Sequence, residues 1–197
     1  MSSGQNYTMN KTILEAMVSS KNQEWETPPE IFDPLNEIFH FELDVCATSK
    51  NTKCERFLSL EDGVDALQVA WHLYGDGTDP VCWMNPPYGR QIGKWVKKAY
   101  DESLETTVVC LLPARTDTKW FHNYCITGRI LFIKGRIKFI NQELPSWTGK
   151  AETTKRSPAL FPSMIVVFNE TTNQAVQLAK NKSICAYSYE PRSATRD

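Results

Sequence analysis

Four consecutive residues, Asn85-Pro86-Pro87-Tyr88, have the makings of a reaction site. With proline near 5% of residues, this tetrapeptide arises by chance in roughly one chain of this size per thousand. Its residue types suit one difficult reaction. An exocyclic amino group on a base is a poor nucleophile, because its lone pair is delocalised into the ring. Accepting hydrogen bonds from both amino hydrogens pushes it toward a reactive geometry. The Asn85 side-chain oxygen offers one acceptor and the Pro86 backbone carbonyl the other, in a loop that consecutive prolines restrict. Tyr88 offers a flat face for stacking. A plain Asn-Pro turn with Tyr88 in the core is the alternative.

In a duplex, an adenine amino group cannot meet a methyl donor held in a pocket. The base must be flipped out, and aromatic stacking offsets part of the unstacking cost. The methyl group would then pass by in-line displacement from a positively charged sulfonium. Alignment and preorganised acceptors supply the acceleration, with no covalent enzyme intermediate required.

The elements around the tetrapeptide have to present it at an edge. Pro80 to Met84 is a short apolar run that stops at Asn85-Pro86-Pro87, since proline lacks the N–H that a central strand needs. Ile92, Trp95, Val96, Ala99 and Ser103 then recur at helical spacing, and Thr106 to Leu112 reads as a strand. Upstream, Thr27-Pro28-Pro29-Glu30 reads as a helix start, with Thr27 as N-cap, Pro28 at the first helical position and Glu30 completing a capping box. Ile31, Phe32, Leu35, Ile38 and Phe39 share that helix's apolar face. Phe41 to Ala47 reads as a buried strand carrying Asp44 at its end, and Phe57 to Leu60 as a second short one. Gly75, Gly77 and Pro80 mark a turn. Later strands fall at Ile130 to Ile133 and Met164 to Phe168, separated by a polar stretch from Asn141 to Pro162. Strands alternating with amphipathic helices predict an α/β sheet covered on both faces, with ligands beyond the carboxyl ends of its strands. Asp44 and Asn85 both lie near such ends.

A chain of 197 residues is enough for one domain. The expected layout is a polar leader over residues 1–24, one domain over 25–180 and a tail over 181–197. With no apolar run near the roughly 20 residues that span a bilayer and no secretory core at the amino terminus, the expectation is a cytoplasmic protein without a membrane anchor. Of six cysteines, three lie within apolar runs, which predicts buried reduced thiols. Neither the cysteines nor the histidines at 40, 72 and 122 form a close ligand pair, so no metal is expected. The net charge of −1 argues against bulk electrostatic attachment to nucleic acid. Basic residues nevertheless cluster at Arg90, Lys94, Lys97 and Lys98, and again from Lys134 to Arg156. Solvated surface accounts for any one of these lysines as well as nucleic acid does.

These motifs, in this order, resemble the phage and prophage DNA adenine methyltransferase (Dam) family over roughly Trp25 to Phe168. The resemblance runs through Trp25-x-Thr27-Pro28, Leu43-Asp44-x-Cys46-Ala47 with Asn51, Asn85-Pro86-Pro87-Tyr88-Gly89, Leu112-Pro113-Ala114-Arg115-Thr116-Asp117-Thr118-x-Trp120, Gly135-Arg136 and Phe161-Pro162-Ser163. It implies a Rossmann-like AdoMet-dependent methyltransferase fold, a mixed sheet with helices on both faces, acting on the N6 amino group of adenine in DNA. It also implies S-adenosyl-L-methionine as cofactor, in a pocket lined by Trp25, Thr27, Pro28, Asp44, Val45, Cys46 and Ala47. Asp44 has a physical reason to be there, since a carboxylate complements the amino or sulfonium end of the donor. Asp62, or failing that Asp65, would meet the ribose or adenine, although a solvent-exposed turn explains Asp62 equally well.

The glycine-rich loop of typical AdoMet methyltransferases is missing after Phe41 to Ala47. Only about 40 residues separate Asp44 from Asn85, so an abbreviated sheet is expected there. Arg90, Arg115 and Arg136 are candidates for contact with phosphate or base, with ion pairs at strand ends as the alternative for the latter two. The stretch 141–162, with Trp147 and Lys150, is the candidate target-recognition loop, or else a plain surface loop. DNA bearing a flipped adenine is the expected partner, in the bacterial host of a phage or prophage. Without a large recognition domain, the target should be short or relaxed. Enzymes that methylate RNA amino groups or protein glutamine share the tetrapeptide, and they stay open as alternatives alongside an inactive DNA-binding relative.

Overall fold

The computed structural model describes residues 25–141, 155–180 and 185–189. Its main sheet has seven strands: β2 (Leu43–Asp44), β3 (Arg56–Phe57), β4 (Cys82–Met84), β5 (Val108–Pro113), β6 (Arg129–Ile133), β9 (Ser163–Phe168) and β10 (Cys185–Tyr189). Their order is β10-β6-β9-β5-β4-β2-β3. β2 pairs in parallel with both β3 and β4, and β4 with β5, while β9 runs antiparallel between β5 and β6. The sheet is therefore mixed, as expected. From β2 the chain first builds β3 on one side and then β4 on the other. That reversal opens a crevice at the carboxyl ends of β2 and β4, where α/β sheets collect ligands.

The two-residue period of β5 divides the core. Val108, Cys110 and Leu112 pack with Ile92, Val96 and Ala99 of α2 (Ile92–Glu102) and Phe121 of α3 (Lys119–Asn123). Val109 and Leu111 pack on the other face with Ile31, Phe32 and Leu35 of α1 (Pro29–Phe39) and Leu178 of α4 (Thr172–Lys180). Helices thus cover both faces, and side chains from alternate strand positions join separate cores.

The helix entry differs from its expected form. α1 starts at Pro29 with Pro28 as its N-cap, and no side chain caps it. Thr27 lies outside the helix, fully buried, and Glu30 binds Arg156 at 2.5 Å. The expected strand 41–47 shortens to Leu43–Asp44, because the Asp44 carboxylate takes hydrogen bonds from the N–H groups of Cys46 and Lys53 and folds the chain into a turn. The expected strand 57–60 ends at Phe57, beyond which Ser59 Oγ accepts from Glu61 N and caps a 3-10 turn, Leu60–Asp62. Between β2 and β4 there is only β3 and two 3-10 turns, which gives the abbreviated layout.

A second sheet, in the order β1-β7-β8, joins β1 (Trp25–Glu26), β7 (Lys138–Asn141) and β8 (Lys155–Pro158), all antiparallel. The stretch 141–162 read as a loop is in part strand: β8 lies inside it and pairs with β7, which ends at its first residue. β10 lies inside the stretch read as a tail and pairs with β6. Among the described residues, Cys46, Cys54, Cys82, Cys110 and Cys125 are free thiols, and burial pushes those of Cys54 and Cys125 up to about 12. No described helix is long and apolar enough to cross a membrane, and no described group of His, Cys, Asp and Glu has the makings of a metal site.

Candidate active site

Asp44 ends β2 opposite Trp83 of β4, two residues before Asn85. Its Oδ1 accepts from Cys46 N at 3.2 Å and its Oδ2 from Lys53 N at 3.0 Å. Burial pushes its carboxyl up to about 6, against the pull of those two N–H groups and the Lys53 charge. A second side chain, Asn51, closes the same turn by accepting from Thr48 N at 2.7 Å and from Thr48 Oγ1 at 3.1 Å. Side-chain hydrogen bonds therefore shape the loop after β2.

This turn borders a cleft of about 240 Å³. Thr27, Asp44, Val45, Cys46 and Ala47 line it, as do Asn85 and Pro87. Trp25 is on β1 opposite Asn141, and Pro28 is buried at the helix cap outside the lining. Asp62 is exposed and also outside it, whereas Asp65 and Glu61 belong to the wall. Leu58, Val64 and Trp95 add apolar surface, and Glu26 and Lys53 add charge, with Lys53 Nζ 2.7 Å from Glu26 Oε1. Sequence reasoning missed Glu26, Lys53 and Glu61. For the first two a signal was present, because each adjoins or nearly adjoins a motif residue: Glu26 lies between Trp25 and Thr27, and Lys53 two residues after Asn51.

The Asn85-Pro86-Pro87-Tyr88 loop follows β4 along the same edge. Asn85 Nδ2 donates to Thr27 Oγ1 at 3.2 Å, and the single Tyr88 hydroxyl proton is shared between Asn85 Oδ1 at 2.8 Å and the Leu111 carbonyl at 3.2 Å. Burial raises the Tyr88 phenol well above its ordinary value, so it stays a donor. The Tyr88 ring meets Phe161 edge-on at 5.4 Å and Phe139 of β7 at 6.2 Å. Pro86 is buried.

Arg115 is exposed and its guanidinium lies 5.7 Å from the centre of the Phe161 ring, which puts a cation beside the Tyr88 cluster. Arg90 is exposed two residues after Tyr88. Arg136 is exposed at the β6–β7 turn, next to Gly135, whose φ of +83° favours glycine. Lys97 and Lys98, in the same basic cluster as Arg90, are tied along α2 to Asp101 and Glu102. Trp147 and Lys150 lie outside the described residues.

A parallel sheet reversal, a buried carboxylate at one strand end and an amide-bearing proline loop at the next define a Rossmann-like methyltransferase. The chain belongs to the DNA N-6-adenine-methyltransferase (Dam) family, whose model matches residues 15–190. It is 35% identical over 151 residues to the DNA N-6-adenine-methyltransferase of Haemophilus phage HP1, covering 73% of this chain and 77% of that one. It is 34% identical over 179 residues to the enzyme of that name from Escherichia phage T1, covering 71% of each.

Proposed function

We propose that this protein transfers a methyl group from S-adenosyl-L-methionine to the N6 amino group of an adenine flipped out of DNA. The observation that carries this reading is the Asn85 carboxamide, held at the carboxyl end of β4 beside the cleft that Asp44 borders. The family and both phage relatives agree with it.

The donor set fits that cofactor. Carboxylates of Asp44 and Glu26 with the Lys53 ammonium complement an amino-acid zwitterion and a sulfonium. Glu61 and Asp65 offer acceptors for ribose hydroxyls and an amino group, and Val45, Leu58, Val64 and Trp95 offer apolar surface for a flat ring. When bound, the cofactor supplies an electrophilic methyl on positively charged sulfur.

The protein's own task is to make the adenine amino group nucleophilic and to align it. Asn85 Oδ1 and the Pro86 carbonyl accept its two hydrogens, which localises the lone pair on N6. With the cofactor bound, that pair would form the new N–C bond while the S–C bonding pair would stay with the departing sulfur. The cationic amine then gives one proton to solvent. Preorganised acceptors lower the barrier without moving during the step.

Arg90, Arg115 and Arg136, with Trp147 and Lys150 in the segment joining β7 to β8, are proposed to contact the DNA. Phe139 on β7 touches Tyr88, so that hairpin adjoins the catalytic loop. Offering DNA, RNA and protein to the purified enzyme with methyl-labelled cofactor tests the reading. Label in DNA is expected, and exclusive labelling of RNA or protein would overturn it.

A further inference from the structure

The chemistry above uses only one side of the Asn85 carboxamide. Oδ1 can accept from an adenine amino group; Nδ2 cannot substitute, because it only donates and the delocalised adenine amino group is a poor acceptor. The two sides differ by a half-turn about one bond, so something has to choose between them. Two hydroxyls remote from each other in sequence flank this carboxamide. Thr27 Oγ1 accepts from Nδ2 at 3.2 Å across 58 positions of chain, and Tyr88 Oη donates to Oδ1 at 2.8 Å.

Both hydroxyls are themselves fixed. Thr27 is 2% exposed, between β1 and the start of α1, and it does not cap that helix. Tyr88 is anchored by its second contact, to the Leu111 carbonyl in the central strand β5, and by the rings of Phe139 and Phe161. The Leu111 carbonyl only accepts, so the single phenol proton lies in the sector between it and Oδ1, and the shorter contact is the one to Oδ1.

We propose that Thr27 and Tyr88 are positioning residues that set which side of the Asn85 carboxamide faces the reacting base, Thr27 by accepting at Nδ2 and Tyr88 by donating at Oδ1. Thr27 is then more than a wall of the cofactor cleft: it links that cleft to the catalytic loop. Tyr88 likewise acts through its hydroxyl as well as its ring. The inference rests on the methyl-transfer reading above.

Thr27→Val keeps the shape of the side chain and removes its acceptor, Thr27→Ser restores the hydroxyl, and Tyr88→Phe keeps the ring alone. Single-turnover methylation and calorimetric binding of S-adenosyl-L-methionine are measured on each variant and on the natural chain. Thr27→Val and Tyr88→Phe should each slow methyl transfer about tenfold, the size of one lost hydrogen bond of ordinary strength. Cofactor Kd and DNA KM should stay within about twofold, and Thr27→Ser should recover most of the rate. The double variant should lose less than the product of the two single losses, since both act on one carboxamide.

Unchanged rates in Thr27→Val and Tyr88→Phe would overturn the proposal. So would a Thr27→Val loss matched by an equal loss of cofactor binding, which would make Thr27 a cofactor contact only. Should Thr27→Val fail to fold, Tyr88→Phe and Thr27→Ser decide the matter by the same readings. A natural chain that methylates no DNA would instead remove the reading on which the inference rests, which keeps the two failures distinguishable.

Discussion

The Lys53 ammonium lies 2.7 Å from the Glu26 carboxylate, while the Lys53 backbone N–H binds the buried Asp44 carboxylate at 3.0 Å. One residue thus ties β1 to the turn after β2, at the rim of the cleft. Both side chains of the ion pair are mostly buried, at 15% and 20% exposure, so solvent screens them less than it would a surface pair. Lys53→Met should weaken S-adenosyl-L-methionine binding by at least about tenfold in calorimetry. Unchanged affinity would remove Lys53 from the cofactor site.

Asp44 gives the binding a pH dependence of definite sign. Burial raises its folded-state carboxyl from 3.8 to about 6, so the protonated form is favoured by folding. Its contribution to stability is full below pH 3.8 and falls as pH rises through about 6. A cationic ligand favours the ionised form instead, so binding releases a proton near that pH. Cofactor affinity should rise between about pH 5 and 7 and then level off. Asp44→Asn should flatten that rise, and a profile unchanged by the substitution would assign the titration elsewhere.

Glu61 and Asp62 are neighbours with different surroundings. Glu61 lines the cleft and Asp62 points outside it, in a 3-10 turn that Ser59 caps. Glu61→Ala should raise the cofactor Kd several-fold, as expected for lost hydrogen bonds to a ribose, whereas Asp62→Ala should leave it unchanged. The opposite pattern would restore Asp62 as the cofactor ligand.

One contact between α1 and β4 is aromatic. Phe32 of α1 meets Trp83 of β4 edge-on at 5.4 Å, just before the catalytic loop. Phe32→Ala should lower unfolding stability by about 3–5 kcal/mol in urea titration. A loss below about 1 kcal/mol would mean that α1 does not hold β4 in place.

Much of this was legible in the chain because the signals are local. The apolar period of Ile31, Phe32, Leu35, Ile38 and Phe39 needs only helix geometry, and the proline run after Met84 has to end a strand. Asn85 and Asp44 followed as strand-end residues. Thr27 was misread as a cap because a Thr-Pro-Pro-Glu string looks the same whether or not its hydroxyl has a partner 58 positions away. Glu61 was passed over for the same kind of reason: which of two adjacent acids faces the cleft depends on a turn set by Ser59. β7, β8 and β10 carry polar or mixed residues and pair over long sequence distances, so they leave no periodic trace.

The central claim is that the Asn85 carboxamide activates an adenine amino group in DNA, and the most direct test is nucleoside analysis of DNA labelled by the natural chain and by Asn85→Ala. Labelled N6-methyladenine from the natural chain, with at least about a hundredfold lower rate in Asn85→Ala and unchanged cofactor Kd, is the expected result. Label in cytosine, or undiminished methyladenine from Asn85→Ala, would contradict it.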